Sequence, residues 1–264
     1  NKGQSYPEYD RLYTGGVEPG KLVIGLVYGM IDHNRTGGVE TDYNYSQYLD
    51  TYREVLTELP GLKITKIEPQ ASLQNLRLAS GKTASLDLKG LIDLQDGVGP
   101  AGFSYTEQQE LKKLAGAVLY QHWITVEAPV KVKIGAQPEA PVTVKILGYF
   151  GAESDSTPHK YGIKNSDVFL YNGHSYIGFG PLDPSRFTAS DFPSSYQILF
   201  VDGCVSYNYY EKDYIPLKSG GTKNLDLITN GLEAPAWNSS NAVGKLVAKL
   251  LDGSLSSYAT DRKS

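Results

Sequence analysis

The chain alternates between short unbroken apolar runs and longer stretches whose apolar residues recur every three or four positions. "KLVIGLVYGM" (21–30) is apolar almost throughout and of strand length, as expected for a strand covered on both faces. After a polar loop, Tyr45, Tyr48, Leu49, Tyr52, Val55, Leu56 and Leu59 predict an amphipathic helix that ends at Pro60-Gly61. "LKITKIE" (62–68) reads as the next strand. Strand, helix, strand is the opening of an α/β layout with a parallel sheet.

The middle of the chain reads as a hairpin at "LRLASGKTASLDLKG" (76–90), turning about Ser80-Gly81. Thr106 and Gln109 stand as a capping box for a helix that carries Leu111, Leu114, Val118 and Leu119 on one face. Residues 129–151 hold two strands joined by a proline-containing loop. Beyond them, "DVFLYNG" (167–173) and "YQILFVDG" (196–203) are buried strands, and the connection between them is long enough for a parallel crossover. "NLDLITNG" (224–231) is a further strand. Val243, Leu246, Val247, Leu250 and Leu251 form the stripe of a closing helix stopped by Gly253. The expected fold class is α/β: a three-layer sandwich with a mostly parallel central sheet and a β-rich elaboration in the middle. We expect one domain over 1–264, with residues 1–20 as an extended arm and 70–140 as an insertion.

Composition narrows the function. The 264 residues are 40% apolar and 20% charged, enough for a substantial core and unlike a disordered chain. A net charge of −4 without a Lys/Arg cluster argues against nucleic acid as a partner. No apolar stretch approaches the ~20 residues of a membrane span. The abundance of tyrosine, with Ser, Thr and Asn in the loops, suits a secreted, periplasmic or cell-surface protein.

Cys204 is the only cysteine, so the chain forms no internal disulfide and no multi-thiolate zinc site. The histidines are His33, His122, His159 and His174, and no two have the i, i+4 spacing of a helical metal site. Gly173-His174-Ser175-Tyr176-Ile177-Gly178 is not a nucleophile elbow, because its second glycine is one residue late and no histidine follows Ser175. Papain-type chemistry fails likewise, since no histidine follows Cys204. What survives is a histidine just past one buried strand and a cysteine just past the next. Carboxyl ends of parallel strands are where open α/β sheets place their ligand crevice. There an imidazole can activate a thiol and protonate a leaving amine.

Each of these residues also has a plainer reading. A lone cysteine ending a buried strand is commonly a small core hydrophobe, and a lone histidine is commonly a hydrogen-bonded structural residue. His122 reads as core or rim; His33 and His159 read as solvated loop residues. Tyr207, Tyr209, Tyr210 and Tyr214 line a substrate cleft or pack at the sheet edge. Asp202 caps a turn, or sets the charge near the thiol.

The run "VFLYNGH" followed by "QILFVDGC" resembles the caspase-like group of cysteine peptidases, which includes caspases, legumains, clostripain and gingipains. "VDGCVSYNYY" is most similar to the gingipain version, and the 174-to-204 spacing is short, as in bacterial members. The resemblance covers roughly residues 140–252. It implies a secreted endopeptidase with a His/Cys dyad, cleaving a peptide or protein substrate through a thioester. Cys204 would be the nucleophile and His174 the general acid. Gly173, Ser175 and Gly203 would shape the oxyanion site, and Tyr207, Tyr209 and Tyr210 the cleft. No metal or cofactor is required, although the bacterial enzymes often carry structural calcium. Where the family has glycine after the histidine, this chain has Ser175. That departure motivates the alternative, an exported caspase-like binding module without turnover.

Overall fold

The computed structural model describes residues 9–32, 37–132, 138–235 and 239–253. In chain order the elements are β1 (Lys21–Gly29), α1 (Tyr43–Glu58), β2 (Lys63–Glu68), β3 (Leu76–Arg77), β4 (Thr83–Ala84), α2 (Leu88–Gln95), α3 (Tyr105–Leu119), β5 (Trp123–Val132) and β6 (Ala140–Gly151). There follow α4 (Thr157–Lys164), β7 (Val168–Asn172), β8 (Gln197–Asp202), α5 (Tyr207–Tyr214), β9 (Leu225–Thr229) and α6 (Ser239–Gly253). Seven strands form one sheet in the order β2-β5-β6-β1-β7-β8-β9. The pairs from β6 to β9 are all parallel, and β5 alone runs against its neighbours.

The central strands are apolar on both sides because each side has its own helices. Leu22, Ile24, Leu26 and Tyr28 of β1 join Leu170, Phe200 and the apolar faces of α1, α2, α3 and α6 in one core. Val27, Phe169, Tyr171, Leu199 and Val201 point the other way, into a core with Ile163 of α4 and Tyr210 and Tyr214 of α5. The protein is thus α/β, with a mostly parallel sheet flanked by helices, an arrangement compatible with three layers.

Several sequence expectations need correction. On strand order, which the sequence leaves open, β2 keeps the direction of β1 with β6 and β5 between them. Lys63, Thr65 and Lys66 of β2 face water at least in part, which an edge strand tolerates and a central one does not. Residues 9–20 are no free arm: a 3-10 turn at Tyr9–Thr14 buries Leu12, and the Tyr13 hydroxyl donates to the Leu250 carbonyl. Residues 1–8 lie outside the described residues. The hairpin turns at Gly81 as expected, in a left-handed conformation (φ +85°) open to glycine. Its downstream arm, however, gives way to helix α2, whose Gly90 N–H is capped by the Asp87 carboxylate. The capping box of α3 is Ser104 with Glu107, not Thr106 with Gln109. The middle of the chain therefore carries two helices as well as strands, and its Leu73, Leu78, Leu86 and Leu88 share the core of β1.

Candidate functional site

The last register pair of β7 and β8 is Asn172 with Asp202, and His174 and Cys204 each lie two residues further on. Neighbouring strands run ~4.8 Å apart, so the two loops leave the sheet side by side. Gly203 sits against the other loop: a Cβ there would stand 3.3 Å from the Gly173 carbonyl oxygen and 3.5 Å from the Ser175 nitrogen. His174 is exposed and Cys204 half-buried. The structure thus packs Gly173, Ser175 and Gly203 against one another and sets His174 and Cys204 on the two adjacent loops. The His174 Nε2 lies 3.4 Å from the Ile31 carbonyl, and the Cys204 thiol donates to the Ala234 carbonyl at 3.8 Å.

The backbone is strained at this place. Tyr176, Ile177 and Val205 have φ of 48°, 54° and 52°, three of the five non-glycine residues among those described that adopt left-handed angles. Two of the three are β-branched, for which that region is unfavourable, and such strain concentrates at functional sites. Ser175 itself has φ −76° and ψ −20°, ordinary helical angles, so a Cβ at this position costs nothing.

Beneath the loops, a polar network ties three strand ends. Asp202 is 5% exposed and accepts from the amides of Asn172 at 2.9 Å and Asn230 at 2.6 Å, linking β7, β8 and the segment after β9. The Asn44 amide, at the start of α1, donates to the carbonyls of Gly29 and Asn172. Asp202 is therefore a buried cross-link between strands rather than a turn cap. It also floors a cleft of about 320 Å³ beside Cys204, walled by Asn230, Glu233 and Ala234. A second cavity of about 340 Å³ holds Glu153, Tyr176, Phe179 and Arg186 on the His174 side. A roomier concavity, about 950 Å³, lies at the β2 edge beside α1 and α2 and is lined by neither histidine nor cysteine. The roomier hollow and the nucleophilic side chains thus lie in different parts of the molecule.

The tyrosines after Cys204 divide. Tyr210 does not line a cleft: it is 1% exposed and stacks on Tyr214 with ring centroids 5.8 Å apart, because α5 turns both into the sheet core. Tyr207 is exposed, and Tyr209 lines a surface hollow with Ile177 and Phe179. His159 is not a solvated loop residue. It is buried on α4 with its ring against Tyr171, and burial pushes its pKa down to about 4, keeping it neutral. His122 is half-buried, with Nδ1 2.8 Å from the Tyr120 carbonyl, and His33 lies outside the described residues.

Sequence reasoning passed over Glu153, which follows β6 by two residues and is 6% exposed. Its signal was spread over distant positions. A Cβ on Gly29 or on Gly173 would stand 2.0 Å from the Glu153 carboxyl, so glycines ending β1 and following β7 make its room. Among the described residues no group of three His, Cys, Asp or Glu is arranged to hold a metal ion, and no helix is long and apolar enough to cross a membrane. No family model, curated protein or solved structure matches the chain.

Proposed function

We propose that the protein is a caspase-like cysteine endopeptidase in which Cys204 is the nucleophile and His174 the general acid. The observation that supports this most is positional. The only cysteine and a solvent-facing histidine leave adjacent parallel strands at equivalent register, at the carboxyl end of the sheet, between two cavities. In this reading the thiolate adds to the scissile carbonyl, and backbone N–H groups near Ser175 and Cys204 receive the oxyanion. His174 then protonates the departing amine, leaving a thioester that water hydrolyses to regenerate the thiol. The bonds of both side chains to main-chain carbonyls describe a resting arrangement; catalytic hydrogen bonds often tighten only when substrate is bound. An export route and an accompanying structural calcium belong to the same proposal.

A panel of acyloxymethyl ketone probes with varied side chains tests it. One or more should label Cys204, and His174→Ala should abolish labelling without unfolding the chain. The competing reading, a binding module without turnover, draws on the thiol's hydrogen bond to Ala234 rather than to an imidazole. Under it no probe labels Cys204. Iodoacetamide then reacts with pH as it does with a free thiol of pKa ~8.5, unchanged by His174→Ala.

A further inference from the structure

The Glu153 carboxyl lies under the turn that carries His174. Its Oε1 accepts the His174 N–H at 3.1 Å, and its Oε2 lies 3.4 Å from the same nitrogen. The hydroxyls of Tyr171 and Tyr176 also bond to it. The Tyr171 hydroxyl in addition stands 2.8 Å from the His174 carbonyl oxygen. A phenol has one proton, yet two acceptors flank this one if Glu153 is a carboxylate. The count closes when the acid carries a proton. Glu153 then donates to the Tyr171 oxygen, Tyr171 donates to the His174 carbonyl, and the carboxyl still accepts the His174 N–H.

We propose that Glu153 is a positioning residue for His174: as the neutral acid it clamps both the N–H and, through Tyr171, the carbonyl of that residue. This deepens the peptidase reading and rests on it for its catalytic consequence. The surroundings favour the neutral form. Burial, with Asp42 nearby, pushes the Glu153 pKa up to about 7. The bonds from Tyr171, Tyr176 and the His174 N–H pull the other way without cancelling burial, and Tyr210 on α5 lies within reach of its field. Arg186, in the adjoining cavity, is engaged with Asp183 and Ser156. His159 packs on Tyr171 as a neutral ring. When Glu153 ionises, the carboxylate draws the Tyr171 proton, the His174 carbonyl loses its donor, and the turn loosens.

The test uses the full chain, with carboxyl-labelled glutamate, a 15N backbone and Glu153→Gln, whose amide reproduces the neutral acid's donor and acceptor. In the unmodified protein the Glu153 carbon should titrate near neutrality and the His174 amide should shift with the same midpoint. In Glu153→Gln that step should vanish. The iodoacetamide rate at Cys204 should be equal in the two proteins at pH 6. At pH 8.5 the unmodified protein should be severalfold slower. Titration of Glu153 in the ordinary carboxylate range, a His174 amide indifferent to it, or identical rate profiles overturns the proposal. These readings on the unmodified chain stand even if a variant folds poorly. If the amide follows Glu153 while Cys204 alkylates as a free thiol in both proteins, the positioning role falls with the peptidase reading. In that case the failure lies in the dyad, not in the clamp.

Discussion

The two ends of β7 and β8 are both polar and both buried, yet their hydrogen bonds go to different places. At the amino ends, Asp167 is fully buried and accepts the N–H groups of Val17 and Val23 at 3.0 and 2.9 Å. Gln197 donates to the carbonyls of Ile163 and Ser166, and Lys218 to the Pro193 carbonyl and to Gln197. These side chains serve mainly to satisfy main chain that the sheet leaves unpaired. At the carboxyl ends, Asp202 and Glu153 reach cavities, Cys204 and His174 reach solvent, and left-handed residues flank both loops. Buried polarity alone therefore does not mark a site. Polarity that borders open space on strained backbone makes the better candidate.

Breaking the carboxyl end should change chemistry and spare stability. Cys204→Ser should abolish acyloxymethyl ketone labelling completely, while a urea melt moves by less than about 0.5 kcal/mol, as for most partly exposed substitutions. Comparable loss of stability, or residual labelling elsewhere on the chain, would undo the contrast.

The reverse is expected at the amino end. Asp167→Ala strands two backbone donors and should cost about 2–6 kcal/mol, taking ~1–3 for each orphaned group. The midpoint in urea should fall at unchanged slope, and labelling of Cys204 per folded molecule should stay the same.

Glu153 lies between these extremes, and pH isolates it. Its folded pKa, about 7, is above the unfolded 4.5, so the folded chain binds this proton more tightly. The resulting stabilisation is fully present below pH 4.5 and is lost as pH rises through 7. Glu153→Gln should remove that decline, so that stabilities of the two proteins diverge by about 2–3 kcal/mol between pH 4.5 and 8. Parallel pH–stability curves would show that Glu153 ionises without cost. The smallest effect should come from Ser175→Gly, because residue 175 already has angles open to any side chain. Labelling rates should stay within about twofold, at a stability cost of roughly 0.5 kcal/mol.

The local pattern by itself determined the strands and helices whose periodicity matches their environment. β1, β7 and β8 are covered on both faces, and so read as apolar runs; α1 and α6 bury one stripe each and read at period 3.6. It also placed His174 and Cys204 beyond successive strands, since both follow directly from where apolar runs stop. What it did not determine depends on contacts between distant segments. The separation of β2 from β1 was decided by β5 and β6 pairing between them, and nothing local to 62–68 encodes that partner. Burial of His159 came from α4 packing on Tyr171, although its neighbours in sequence are polar. The Glu153 pKa rises only because glycines at 29 and 173, from two distant parts of the chain, let its carboxyl be buried beneath the His174 turn. Desolvation and proton count are properties of that assembled environment, and no stretch of the chain carries them alone.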